Sequence, residues 1–174
     1  TGRAMESNAP LVFAKVQDCS ALTVRQLVDR YATTCPDKVF AVFPDSDLVL
    51  NWSELQKSCR KLHAYLNSLG AKPGDRIGML TANGQSAFEL FLGCMYGGFT
   101  IATFNPVAGE TALRYGLDHS EVRVLLADEA NADTAARICG EELPDIKVIR
   151  IKAKEGLALP AADSSAVPFS PRPE

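Results

Sequence analysis

Few side chains in this sequence stand at spacings that do chemistry. Ser58-Cys-Arg-Lys61 fits the S-x-x-K spacing of a serine activated by a lysine, but it lies mid-helix, and the partner motifs of penicillin-recognising enzymes are absent. Asp118-His119-Ser120 holds the three side chains of a hydrolase triad in a row. Adjacent residues do not converge on one point, so a helix end is the better reading, with His119 suited to the negative end of the dipole. His63 follows Cys59 by four residues, which puts both on one helix face. A metal needs a third and fourth ligand, and none is in view. The five cysteines (19, 35, 59, 94 and 139) are odd in number, widely spaced and without a C-x-x-C, and read as reduced thiols of a cytosolic protein. Glu54 and Glu89 are lone carboxylates, a weak basis for general acid catalysis. Trp52, placed just before a capped helix, reads as core. No residue is therefore assigned a catalytic, cofactor-binding or metal-ligating role.

Phosphate binding fares no better. Neither G-x-G-x-x-G nor G-x-x-x-x-G-K-[ST] occurs. Gly97-Gly98 precedes a strand rather than a helix, so it reads as a helix stop. Thr81-Ala-Asn-Gly84 is the one turn at which a helix N-terminus could meet a phosphate. Lys152 and Lys154 lack a glycine-rich turn that would bring backbone amides to an anion.

Composition narrows the class further. The chain has 174 residues, 47% apolar and 22% charged, with a net charge of −3. That is enough apolar content for a core and too little charge for whole-chain disorder. The pI of about 5.4 and the lack of a Lys/Arg-dense stretch argue against nucleic acid. No run of about 18 apolar residues predicts a membrane span. The start, Thr-Gly-Arg-Ala-Met-Glu, has no secretory h-region, and the residues before Met5 read as an addition to the native start.

The elements that would position any site follow from periodicity. Val24, Leu27, Val28 and Tyr31 predict a helix opened by a Thr23–Gln26 capping box and closed at Cys35-Pro36. Residues 38–43 and 48–52, separated by Pro44-Asp-Ser-Asp47, predict a β-hairpin. Leu55, Cys59, Leu62, Leu66 and Leu69 make one stripe of a helix over 53–69. Ser53 and Gln56 are its expected capping box, and Gly70 is expected just past its end. A strand at 75–80, a helix at 84–96 with Phe88, Phe91, Leu92 and Met95 facing the core, and a strand at 99–104 follow. Then come a helix at 109–119 on Leu113 and Leu117, a strand at 122–126, a helix at 130–140 and a strand at 146–150. Strands alternating with helices predict a doubly wound, mostly parallel α/β sheet with helices on both faces and the N-terminal hairpin added at an edge. The expected organisation is an arm over 1–22, the α/β unit over 23–152 and a Pro/Ala/Ser-rich stretch over 153–174 that reads as a linker or as an ordered tail lying on a surface.

The order of these segments carries a resemblance. Leu50-Asn-Trp-Ser-Glu-Leu55 resembles the L-[TS]-[YW]-x-E-L segment of AMP-forming adenylating enzymes, the superfamily of acyl-CoA synthetases, luciferases and peptide-synthetase adenylation domains. Leu69-Gly-Ala-Lys-Pro-Gly-Asp-Arg-Ile77 resembles the following L-G-[VI]-x-x-G-D-R-V, and Asn83 the Asn after that strand. Leu92-Gly-Cys-Met-Tyr-Gly-Gly-Phe99 is similar to L-A-x-x-x-A-G-A, and Asn105-Pro106 to the N-P beyond it. Residues 113–120 resemble E-L-x-Y-x-L-x-x-S, and Val122–Asp128 the A-K-x-L-[IV]-x-D strand. The departures are Gly98, where Ala is usual, and Gly116 inside a helix. Asn105-Pro106 and Asp118-His-Ser120 look most like acyl- or aryl-CoA synthetases.

The resemblance implies a parent that activates a carboxylic acid with ATP as an acyl-adenylate and passes it to CoA, using ATP, Mg²⁺ and CoA, in the cytoplasm, with fatty acids as one substrate class. Its phosphate loop, ribose-binding Asp and mobile C-terminal domain would follow this chain. The chain then reads as the N-terminal subdomain, inactive alone and binding no cofactor itself, whose partner is the rest of the ligase and which could form a homodimer by family precedent. Two alternatives stay open: a stand-alone non-catalytic binding or dimerisation module with the same fold, and an unrelated nucleotide-binding α/β domain using Thr81–Gly84.

Overall fold

The computed structural model describes residues 22–44, 47–154 and 156–160. The arm over 1–21 and the tail from 161 onward lie outside the described residues. Helix α1 (Val24–Thr34) opens with the expected box: the Gln26 amide donates to Thr23 Oγ1 at 3.2 Å and the Thr23 amide to Gln26 Oε1 at 2.9 Å. Strands β1 (Val39–Phe43) and β2 (Leu48–Asn51) pair antiparallel, with a bulge between Val39 and Ala41. They form a two-stranded sheet of their own rather than an edge of the main sheet. The reason is aromatic anchoring. Phe40 packs on Trp52 at 4.3 Å between centroids, and Phe40 and Phe43 meet Phe88 at 5.7 and 5.6 Å. The hairpin's inner face is thereby committed to the helices, where such rings bury most area.

Helix α2 (Trp52–Ser68) is capped two residues earlier than its Ser53–Gln56 pair predicts. Asn51 Oδ1 accepts from the Glu54 amide and Glu54 Oε2 from the Asn51 amide, both at 2.9 Å. The end of β2 runs straight into the helix, so the strand's last residue becomes the cap. At the other end Gly70 takes φ +88°. Its amide donates to Asn67 O, and the Ala71 amide to Leu66 O, the paired bonds of a Schellman ending. Leu55, Cys59, Leu62 and Leu66 are fully buried, while Leu69 is partly so.

Four parallel strands make the main sheet: β3 (Arg76–Leu80), β4 (Thr100–Thr103), β5 (Val124–Asp128) and β6 (Lys147–Ile151), in spatial order β4-β3-β5-β6. Helix α3 (Gln85–Gly97) joins α2 on one face, over Ile77, Val124, Leu126 and Ile151. Helices α4 (Glu110–His119) and α5 (Ala132–Glu142) cover the other, over Leu80, Leu125 and Ala127. The doubly wound architecture is as expected. Gly116 is explained by space, since a Cβ there would lie 3.1 Å from the Phe104 ring.

Helix α3 reverses the predicted face. Phe91 and Met95 are each 42% exposed, and Phe88 and Leu92 are half-buried against the hairpin. The buried side is Ser86, Glu89, Leu90, Gly93, Cys94, Tyr96 and Gly97. Close approach selects this side. A Cβ on Gly93 would lie 2.6 Å from Leu62 Cδ2, and one on Gly97 would lie 2.6 Å from the Phe99 ring. Bulky apolar residues cannot occupy that seam. Asp29 of α1 binds the three helices together, accepting from Gln56 Nε2 at 2.7 Å and Tyr96 Oη at 2.8 Å.

Candidate functional site

In an open α/β sheet the ligand crevice lies beyond the carboxyl ends of the strands, where the winding reverses. Here β4 lies to one side of β3 and β5 to the other, so the reversal falls between β3 and β5. Three loops meet at that edge: Thr81–Gly84 after β3, Phe104–Gly109 after β4 and Glu129–Asn131 after β5. Between them lies a cavity of about 180 Å³, whose walls include Leu80, Asn105, Gly109, Asn131 and Thr134. That is below the several hundred Å³ usual for a nucleotide-sized ligand. A larger hollow of about 560 Å³, walled by Gly70, Glu121, Arg123, Asp145 and Lys147, sits at the amino ends of the strands, the wrong edge for this fold's chemistry.

The Thr81–Gly84 turn is the test of anion binding, and oxygens of the chain itself take its Ala82 amide and the nearby Ser86 amide. Asp128, 2% exposed at the end of β5, accepts the Ala82 amide at 2.8 Å, and its other oxygen takes Asn131 Nδ2 at 2.7 Å and the Asn131 amide at 3.1 Å. The Ser86 amide in the first turn of α3 points to the Ala153 carbonyl at 3.4 Å, and a Cβ on Gly84 would lie 3.0 Å from that same oxygen. A buried carboxylate and a carbonyl now stand where a phosphate would need donors, so the turn repels an anion rather than cradling it. The residues present do not fit ATP phosphates, and the unrelated nucleotide-binding reading loses its one candidate.

The remaining candidates fall to structural roles. Ser58 Oγ donates to Glu89 Oε2 at 2.8 Å, and Lys61 is exposed. His119 stacks on Tyr115 at 4.0 Å and lies 3.5 Å from Asp118, while Ser120 Oγ donates back to Leu117 O at 3.1 Å, so no triad forms. His63 is buried edge-on to Phe99. Burial and then the Arg25 charge hold its pKa below the ordinary value, which suits a neutral packed ring. Burial, with the Glu89 and Asp29 carboxylates adding to it, pushes the Cys59 thiol up to about 12, and burial pushes Cys94 up to about 12 as well; both are unreactive. Among the described residues no group of three His, Cys, Asp or Glu side chains could hold a metal. Gly98 ends α3 at φ +76°, the helix stop expected of Gly97-Gly98. Trp52 is half-buried and stacks on Tyr31 at 4.6 Å.

Glu54 and Glu89 are not lone. Glu54 caps α2, and Glu89, 4% exposed, accepts from Ser58 Oγ, Gln85 Nε2 and the Leu157 amide. Asp128 was visible in sequence only as the last residue of the Val122–Asp128 segment; its partners lie 46 residues upstream and three downstream.

Comparison with known proteins places the chain. The AMP-binding enzyme family matches residues 28–173. Sulfoacetate–CoA ligase of Cupriavidus necator is 29% identical over 152 residues, covering 86% of the chain and 30% of that protein. The 3-methylmercaptopropionyl-CoA ligase of Ruegeria lacuscaerulensis is 32% identical over 97 residues, covering 56% and 18%. The chain thus spans under a third of the length of these curated relatives. In structure it superposes on the N-terminal domain of FACL13 from Mycobacterium tuberculosis with TM-score 0.69 at 20% identity, covering 86% of the chain and 39% of that domain. It superposes on a benzoate CoA ligase from Burkholderia xenovorans with TM-score 0.63 at 20% identity, covering 75% and 26%.

Proposed function

The chain belongs to the AMP-binding enzyme family, and from that premise we propose that it is the N-terminal subdomain of an ATP-dependent, AMP-forming acid–CoA ligase. The proposed parent activates a carboxylic acid as an acyl-adenylate, releases pyrophosphate and transfers the acyl group to CoA, in the cytoplasm, with fatty acids as one substrate class. The observation that carries this reading is the family match over nearly the whole chain, with CoA ligases among the relatives. ATP, Mg²⁺ and CoA belong to the parent. At the β3 turn the Ala82 amide is held by Asp128 and the Ser86 amide faces the Ala153 carbonyl, which leaves a carboxylate and a carbonyl where phosphate donors would be needed. The role left to these residues is scaffolding: an α/β unit over 23–152, an arm before it and, of the linker expected over 153–174, a start packed on the core at Leu157 and Leu159.

The partner implied is the rest of the ligase. Val39, Val42 and Val49 on the hairpin and Phe91 and Met95 on α3 are 42–58% exposed, which supports a face covered in the parent. The same face supports the second reading, a stand-alone module that dimerises without catalysis. A reading frame that runs on past Glu174 into a Ser/Thr/Gly-rich loop ending in P-K-G favours the ligase; a stop codon there favours the module.

The activity test is pyrophosphate release from ATP and Mg²⁺ by the 174-residue chain with short, long and aromatic acids, with and without CoA. No turnover is expected, since missing transition-state donors worth a few kcal/mol each remove orders of magnitude in rate. Acid-dependent release that scales with chain concentration and survives repurification overturns the scaffold reading.

A further inference from the structure

The chain leaving β6 does not run free. Gly156, Leu157 and Leu159 are buried, and the two leucines join the core under α2 and α3. Yet residues 156–160 pair with no strand. Two of their main-chain bonds close within the segment, Ala158 to Gly156 O and Leu159 to Leu157 O, both at 2.9 Å. The grip from the body comes through a side chain: the Leu157 amide donates to Glu89 Oε2 at 3.2 Å.

The surroundings of Glu89 suit that task. Ser58 Oγ donates at 2.8 Å from α2, Gln85 Nε2 at 2.6 Å from the preceding turn of α3, and Leu157 from the segment itself. Three converging donors need a group that only accepts, and a carboxylate does so with two oxygens. Gly156 supplies the access. It sits at φ +74°, and a Cβ there would lie 3.0 Å from Gln85 Nε2 and 3.6 Å from Glu89 Oε1. Only glycine combines that backbone with that clearance.

We propose that Glu89 is a positioning residue: through the gap left by Gly156 it latches the Leu157 amide, fixing residues 156–160 on α2 and α3 as a strap that opens separately from the sheet. Its consequence for a ligase, that the latch sets where the chain beyond residue 160 starts toward the phosphate loop, rests on the ligase reading. The latch itself does not.

Amide hydrogen exchange on the 174-residue chain, read by NMR, tests it. In the unsubstituted chain the Leu157 amide is protected. Glu89→Leu, which removes both acceptor oxygens at similar volume, and Gly156→Ala, which keeps the carboxylate, should each speed exchange at Leu157 and Leu159 by about tenfold or more and move the Leu157 amide proton upfield. Amides of β3 and β5 should stay within about twofold. Ser58→Ala, which removes a different donor, should leave Leu157 protected. The proposal is overturned by an unprotected Leu157 amide in the unsubstituted chain, by exchange unchanged in Glu89→Leu, or by equal acceleration across β5, which would make Glu89 an ordinary core residue. Exchange reads the latch and pyrophosphate release reads the ligase, so either can fail without the other.

Discussion

The seam between α2 and α3 makes a demanding prediction about two residues. Gly93 faces Leu62, which is fully buried, and a Cβ at 93 would lie 2.6 Å from Leu62 Cδ2 and 3.4 Å from its Cβ. Gly93→Ala gains about 1 kcal/mol of helix propensity. It loses about 1–3 kcal/mol to overpacking, because neither helix can back away without opening the layer over the sheet. The net is a destabilisation of about 0–2 kcal/mol, against the usual sign for Gly→Ala in a helix. Leu62→Ala alone should cost about 2–5 kcal/mol through the cavity it leaves. In that background the clash is gone and the new methyl occupies part of the void, so Gly93→Ala should become stabilising by about 1–2 kcal/mol. The two substitutions therefore couple by about 1–4 kcal/mol. Urea unfolding of the four proteins measures this, with fluorescence of the single tryptophan, Trp52, stacked on Tyr31, as the probe and far-ultraviolet circular dichroism as the check. Additivity within about 0.5 kcal/mol would refute the close approach and, with it, the account of why α3 buries its small residues.

Two further stability predictions follow from the caps and the buried histidine. Asn51→Ala should cost about 1 kcal/mol in urea melts while Ser53→Ala stays within about 0.5 kcal/mol, and the opposite order would restore Ser53 as the cap. Because burial, aided by Arg25, lowers the His63 pKa in the folded chain, the unfolded chain binds more protons as pH falls below about 6.5, so stability should drop on the acid side of neutrality. The contribution is present above that pH and cannot exceed about 1.4 kcal/mol per pH unit. His63→Leu should flatten the fall between pH 7.5 and 5.5, and an unchanged slope in that variant removes His63 as its source.

What sequence reveals here divides along a physical line. The alternation of helix and strand is written in local periodicity, and so are the Thr23 box and the Gly70 ending, because each depends on residues within one turn of one another. The face that α3 buries is not local. Its large apolar residues form a clear stripe, but Gly93 and Gly97 decide the packing through side chains of α2 and Phe99. At α2 the pair Ser53–Gln56 reads as the box, and the junction with β2 puts the cap at Asn51–Glu54 instead. The candidate site was the least legible part. Nothing near Thr81–Gly84 announces that Asp128 and Ala153 will take the Ala82 and Ser86 amides, or that Glu89 will find a third donor at Leu157. Those oxygens and amides arrive from distant chain only when the sheet is assembled.

The position of β3 has a consequence for how the chain is made. It is the first strand of the main sheet to be synthesised and it ends near the middle, flanked by β4 and β5. Its partner on one side follows soon, Ile101 opposite Ile77, but Val124 on the other side emerges roughly fifty residues after Ile77. At about 5–20 residues per second, the ribosome leaves that edge of β3 waiting for roughly 2–10 s. During those seconds a strand carrying Ile77, Met79 and Leu80 presents unpaired amides and carbonyls to whatever is nearby. The hazard closes when β5 docks, so slower translation over residues 81–124 prolongs it, whatever the stability of the finished domain.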